Sequence, residues 1–439
     1  MDQKLNALDL GISRFLEHNF VLVWRIRIDL EQFQAAAEAL ILQWPALGAR
    51  LDFLRTSLLP TDCKVPSRDV WKGKTSDQRI DEMAKLPQQY EDVQLFDSTS
   101  LERLVDFGYG LGWHLRQDIL AIRTVVLRDA CIIGFKLQHS FGDANAMMKI
   151  AKAYCTLVDK AFVGPVSFGR PPLKVKPGFP LEGEGQGEAT SVHPIAKLHA
   201  ESSAAGWASF LKSSWRQKSR DFMNSSSRRI AKTLFIPRRQ INKWTNEAQR
   251  RNDHVTEHDL ILSFLYRHFA KDDTRPPNFG ITMNVQRQLQ SDAGFGNPWI
   301  LMPVPRYSDP IEAVNTRDSL SSVASHIRHT INSARDPVCV SQIISQHTLL
   351  NGKPMIPRHF AARDAHFVVT SWAGHPVYEY ELGTKTPVAV HGSVAFCGYL
   401  RKTGMVMDDL LVVWRSKDGY WIHGCLENGL WEQIAQSLK

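Results

Sequence analysis

Apolar positions along this chain change their period several times, and each change marks an element. Over "LEQFQAAAEALILQWPALGARL", Leu30 to Leu51, they recur at helical spacing until Pro45, which predicts a helix that stops there. "ILAIRTVVLRDACIIGFKLQH", Ile119 to His139, holds two apolar, β-branched runs joined at Arg128-Asp129. This predicts a hairpin whose second strand ends at His139. After Gly142 the period lengthens: Met147, Ile150, Ala151, Tyr154, Val158 and Phe162 fall on one helical face. The stretch "HSFGDA" therefore sits at a strand-to-helix junction.

Downstream, "TEHDLILSFLYRHFAK" predicts another amphipathic helix, and "LLVVWRSKDGYWIHGCL" a hairpin turning at Lys417-Asp418-Gly419. "ENGLWEQIAQSLK" closes the chain with a helix. Between Gly164 and about Gly206 both periodicities vanish into a Pro-, Gly- and Ser-rich run, so this is a linker or crossover. It separates an N-terminal lobe, 1–165, from a C-terminal lobe, 207–439, with 166–206 as the crossover. Strands and helices mix without strict βαβ alternation, which predicts an α/β fold of two lobes with mixed sheets. There is no short-period repeat and no coiled coil.

Bulk properties narrow the function class. A chain of 439 residues with 43% hydrophobic positions exceeds what one compact core usually holds, in keeping with two lobes. No apolar run approaches the length of a membrane span, and "MDQKLNALDL" has neither a basic nor an apolar leader region. The six cysteines lie far apart without a CxxC, as reduced thiols of a cytoplasmic protein would. The net charge of +8 invites a phosphate-rich partner, but basic residues mostly alternate with acids. The exception is "WRQKSRDFMNSSSRRIAKTLFIPRRQINKW", Trp215 to Trp244, either a phosphate-binding surface or a solvated face.

His139 and Asp143 carry the leading chemical candidate. A histidine at a strand end can take a proton near neutral pH, and an acid four residues on can shape the turn that holds it. The alternative is a core histidine followed by a plain helix N-cap, and spacing alone leaves both open. "HVTEH", His254 to His258, has a metalloprotease-like spacing. However, Thr256 reads as an N-cap with Asp259 as its partner, leaving His254 outside the helix. "DFGYG", Asp106 to Gly110, lacks every other part of a kinase. No G-x-S-x-G elbow or Walker loop is present.

Taken together the motifs resemble those of the BAHD acyltransferases, whose hallmark is HxxxD followed by Gly; here it reads "HSFGDA". "QWPALGARL" is similar to the family's "YPxLAGRL" block, "EHDLILSFLYR" to the helix after the crossover, and "NVQRQLQ…GFGN" to "DGRSRL…YFGN". "TSWAGHPVYEYELGTKTP" aligns without gaps on "TSWxGLPxYExDFGWGKP". The matches run in family order over most of the chain. The DFGWG box is reduced to Glu381-Leu382-Gly383-Thr384-Lys385, keeping only its structural glycine, Gly383. So loosened a pattern resembles the fungal secondary-metabolite branch.

The resemblance implies a chloramphenicol acetyltransferase-like fold of two similar lobes with the site in a channel between them. It implies transfer of an acyl group from acyl-CoA, as co-substrate, to a hydroxyl or amine of a small-molecule acceptor. His139 would be the general base, Thr370 and Trp372 the oxyanion donors, and Asp143 an orienting residue paired with Arg287. Thr370 and Trp372 stand two apart, on one face of a strand. The basic run from Arg216 to Arg239 becomes a candidate for coenzyme A phosphates. No metal, covalent acyl-enzyme, nucleic acid or membrane is implied, and the protein is expected to be a cytoplasmic monomer. Rival readings are an enzyme of the same fold that catalyses a cyclisation or takes its acyl group from a carrier protein, and a non-catalytic binding protein.

Overall fold

The computed structural model describes residues 3–4, 13, 16–52, 57–59, 70–86, 92–97, 99–107, 116–161, 163–164, 192–203, 229–251, 253–269, 278–288, 298–305, 318–349, 366–396 and 409–438. Two sheets dominate. The first runs Ala389–Phe396, Leu16–Trp24, Cys131–Gln138, Leu120–Val126, Trp71–Thr75 in spatial order. The second runs Trp299–Val304, Asn278–Asn284, His366–Ser371, Leu410–Arg415, Gly419–Glu427, Arg229–Pro237, Gln94–Asp97. Both mix parallel and antiparallel neighbours. A small sheet of four short strands completes the set.

The expected hairpins form, Leu120–Val126 against Cys131–Gln138 and Leu410–Arg415 against Gly419–Glu427. Strand Leu120–Val126 is buried along its whole length, so apolar residues stand on both of its faces, and its one charged residue, Arg123, donates to the Val70 and Ile122 carbonyls. The helix Leu30–Gln43 stops at Trp44, ahead of Pro45. Helix Ala144–Val158 ends four residues before Phe162, which lies outside the described residues. It ends because Lys160 turns left-handed (φ 62°) while the Lys160 and Ala161 amides bond back to Leu157 and Thr156.

Residue parity divides the second sheet between two cores. Phe367, Val369, Leu411, Val413 and Ile422 pack against helices Glu257–Phe269 and Asp318–Ala334. Val368, Trp372, Leu410, Val412 and Trp414 face the other way and join Phe20, Phe135 and Leu137 of the first sheet in a shared core. The two sheets therefore meet through side chains that alternate with the second lobe's own interior. Where they meet, Gly392 makes room: a Cβ there would stand 1.9 Å from the Trp414 ring and 2.7 Å from Trp372.

Two strands cross the sequence boundary between the lobes. Gln94–Asp97, from the first part of the chain, extends the second sheet, and Ala389–Phe396, from the last part, forms an edge of the first. Strand pairing depends on a free edge and a matching face, and neither is legible in a linear boundary. Of the crossover, Pro194–Ser203 is helical, and 165–191 lies outside the described residues.

Candidate functional site

His139 directly follows its strand, Cys131–Gln138, at the junction the sequence predicted. Its amide donates to the Leu16 carbonyl at 2.9 Å, and the chain then turns, with the Phe141 amide reaching back to Gln138. At Gly142 any side chain would press on Ala146, 2.4 Å away, so the turn closes tightly onto the helix. Asp143 then caps helix Ala144–Val158, its Oδ1 accepting from the Ala146 amide at 3.1 Å. The His139 side chain is not at a free strand tip: the residue is 7% exposed. Its ring lies 4.0 Å from that of His18 and 5.4 Å from that of Trp299.

His139 lines a cavity of about 120 Å³ between the two sheets, and Thr370, Trp372, His18, Asn284 and His375 line it too. Four segments far apart in sequence thus converge on one space. The Thr282 hydroxyl donates to Thr370 Oγ1 at 2.8 Å, which leaves the Thr370 proton available to a second acceptor. Trp372 is 1% exposed and packs edge-on against Trp414 at 4.5 Å and His18 at 5.4 Å. Its indole N–H makes no hydrogen bond among the described residues.

Asp143 differs from expectation in its partner. Asn284 Nδ2 donates to its Oδ2 at 3.1 Å, and no ion pair joins it to Arg287, which is exposed on the turn that follows. The reason is local: Asn284 Oδ1 accepts from the Gln286 amide at 2.9 Å, which aims the amide nitrogen at Asp143 and carries Arg287 past it. Burial pushes the Asp143 carboxyl up to about 6, against the bonds from the Ala146 and Asn145 amides and Asn284 and the charge of Lys149. Burial, then the neighbouring His139, hold His18 well below the ordinary histidine value. His375 is lowered by burial and by Lys149.

The altered DFGWG counterpart still clamps the helix that Asp143 caps. The Gly383 amide donates to Asp159 at its C-terminal end at 2.9 Å, and the Tyr380 hydroxyl to the Met148 carbonyl at 3.2 Å. Leu382 is fully buried.

Other candidates resolve into structure. Thr256 and Asp259 form the expected reciprocal cap, and Arg328 binds Asp259 through two nitrogens, at 2.8 Å each. In the basic run, Arg229 pairs with Asp409, Arg238 with Glu257 and Arg239 with Asp92, while 216–228 lies outside the described residues. Among the described residues, no group of three or more His, Cys, Asp or Glu is placed to hold a metal ion, and no helix is long and apolar enough to cross a membrane.

Sequence reading missed His18, Thr282, Asn284 and Trp299. "LEHNFVLVW" carried a usable signal for the first, a histidine in phase with the inward face of a nine-residue strand. The other three enter the site only through sheet pairing.

Comparisons with known proteins agree with this architecture. No curated protein sequence matches the chain. TRI101 of F. sporotrichioides, complexed with coenzyme A and T-2, superposes with a TM-score of 0.68 at 12% identity, over 99% of this chain and 97% of that one. Vinorine synthase gives 0.62 at 11% identity, over 100% and 93%. The first condensation domain of the calcium-dependent antibiotic synthetase gives 0.58 at 10%, over 100% and 95%. The model of the Transferase family matches residues 113–415, more than half of the sequence and all of the cavity-lining residues named above except His18, so the chain belongs to that family, the family of the BAHD acyltransferases.

Proposed function

We propose that the protein moves an acyl group from acyl-coenzyme A to a hydroxyl, or an amine, of a secondary metabolite, with His139 as general base and no acyl-enzyme. One observation carries the reading: His139 opens onto the same cavity as Thr370 and Trp372. The coenzyme A bound in the TRI101 structures supports the donor.

In this mechanism the acceptor oxygen attacks the thioester carbonyl as His139 takes its proton. Charge develops on the carbonyl oxygen, where Thr370 and Trp372 supply the donors. Thr370 is suited to this because Thr282 already serves its oxygen, so its own proton points elsewhere. Collapse of the tetrahedral intermediate breaks the carbon–sulfur bond, and the leaving thiolate takes the proton from His139. Asp143 does not touch the base; it holds the turn in shape through the helix cap and Asn284.

The test is steady-state kinetics with acetyl-CoA and a panel of terpenoid, polyketide and alkaloid alcohols. Ternary-complex kinetics are expected, with free coenzyme A appearing in step with product and no burst. His139→Ala should lose about 10²–10⁴-fold in kcat. Turnover without a donor and without a change of substrate mass would make this a cyclase. Transfer only from an acylated carrier protein would align it with condensation domains. Either result overturns the assignment.

A further inference from the structure

His18 has no part in the chemistry above, yet among the described residues its ring lies nearest the base. It stands diagonally across from His139 on the neighbouring strand: Glu17 pairs with Gln138 and His18 with Leu137, so both histidines point to the same face. The rings lie 4.0 Å apart and 34° from parallel, and His18 makes a T-shaped contact with Trp372 at 5.4 Å. His18 is 2% exposed, and both ring nitrogens are sealed from the cavity; neither makes a hydrogen bond of ordinary geometry, the Gly142 backbone being the polar group that faces the ring. A buried imidazole in that state costs about 1–3 kcal/mol per unmet group, so an apolar side chain would serve the fold better. With its nitrogens sealed, His18 can neither relay a proton nor bind a substrate oxygen. What it offers the site is its ring face.

We propose that His18 is a positioning residue for the base: its ring face fixes the plane in which the His139 imidazole meets the cavity, and Trp372 packs against His18 in turn. This rests on His139 acting as the base. Among the described residues, the polar and titratable groups facing the pair include the Gly142 backbone and, around the same cavity, Asp143 and His375. Burial and the proximity of His139 keep His18 neutral. When His139 takes up the acceptor proton, it therefore meets an uncharged aromatic face within about 6 Å, an arrangement that favours a cation. A protonated His18 would repel it instead.

Three proteins test the proposal: wild type, His18→Ala, which removes the ring, and His18→Phe, which restores a ring face without nitrogens. A base misplaced by about 1 Å loses roughly 100-fold in rate. His18→Ala should therefore lower kcat about 10- to 100-fold with both KM values within about threefold, and His18→Phe should recover to within about threefold of wild type. The second readout needs no turnover. In histidine-labelled protein, the ¹³C order parameter of the His139 ring, assigned through His139→Ala, should fall in His18→Ala and return to the wild-type value in His18→Phe. If His18→Ala keeps both kcat and ring order, or if a folded His18→Phe is no better than His18→Ala, the proposal is wrong. If wild type transfers no acyl group, the function assignment fails and ring order alone decides the role of His18.

Discussion

Replacing Asp143 by Asn separates a carboxylate held for its charge from one held for its shape. Above pH 7 the wild-type residue is ionised at a half-buried position where its carboxyl titrates at about 6, against an ordinary value of 3.8. The folded chain thus binds this proton more tightly than the unfolded chain, and stability falls as pH rises from about 4 to about 6. The full penalty above that range is about 3 kcal/mol, and roughly half that once the residue's partial exposure to water is allowed for. Asn removes the penalty. It still caps the helix, because its oxygen can accept from the Ala146 amide as Asp143 does. It cannot also accept from Asn284, whose amide group is held in orientation by Gln286, and that lost bond costs about 1 kcal/mol. The variant should therefore unfold in urea, followed by tryptophan fluorescence, with a stability at pH 7.5 between unchanged and about 2 kcal/mol above wild type. On moving to pH 5 the wild type should gain on it by about 1 kcal/mol. A variant more than about 2 kcal/mol less stable at pH 7.5, or a difference that ignores pH, would show that a cation such as Arg287 does pair with Asp143 in solution, as breaking a buried ion pair requires.

The oxyanion pair can be tested by Thr370→Val and Trp372→Phe, each of which should lower kcat about 10²-fold with little change in KM, as loss of a single donor does. A loss confined to KM would make them binding residues. Arg328→Ala should destabilise the second lobe by about 3 kcal/mol, because Asp259 is fully buried and would keep only the Thr256 cap. The check is the melting temperature, and no change would mean that water replaces the guanidinium.

Much of this protein is written in its local pattern. The shift from β-branched apolar runs to period 3.6 at "HSFGDA" located the strand end, the turn and the helix. Thr256 and Asp259 announced their helix start in the same way. These features depend on residues within one or two turns of each other, so a linear reading can find them. The partner of Asp143 could not be found so, since three residues of register on one strand decide whether Asn284 or Arg287 faces it. Likewise, the exchange of Gln94–Asp97 and Ala389–Phe396 between sheets depends on which edges stand open once the others have paired. The cavity itself belongs to this second kind: His139 and Trp372 share a wall only because alternate residues of the second sheet face the first across Gly392. The sequence alone determined the elements and the motif; tertiary structure decided the company His139 keeps, because contacts between distant strands are selected by packing rather than by spacing.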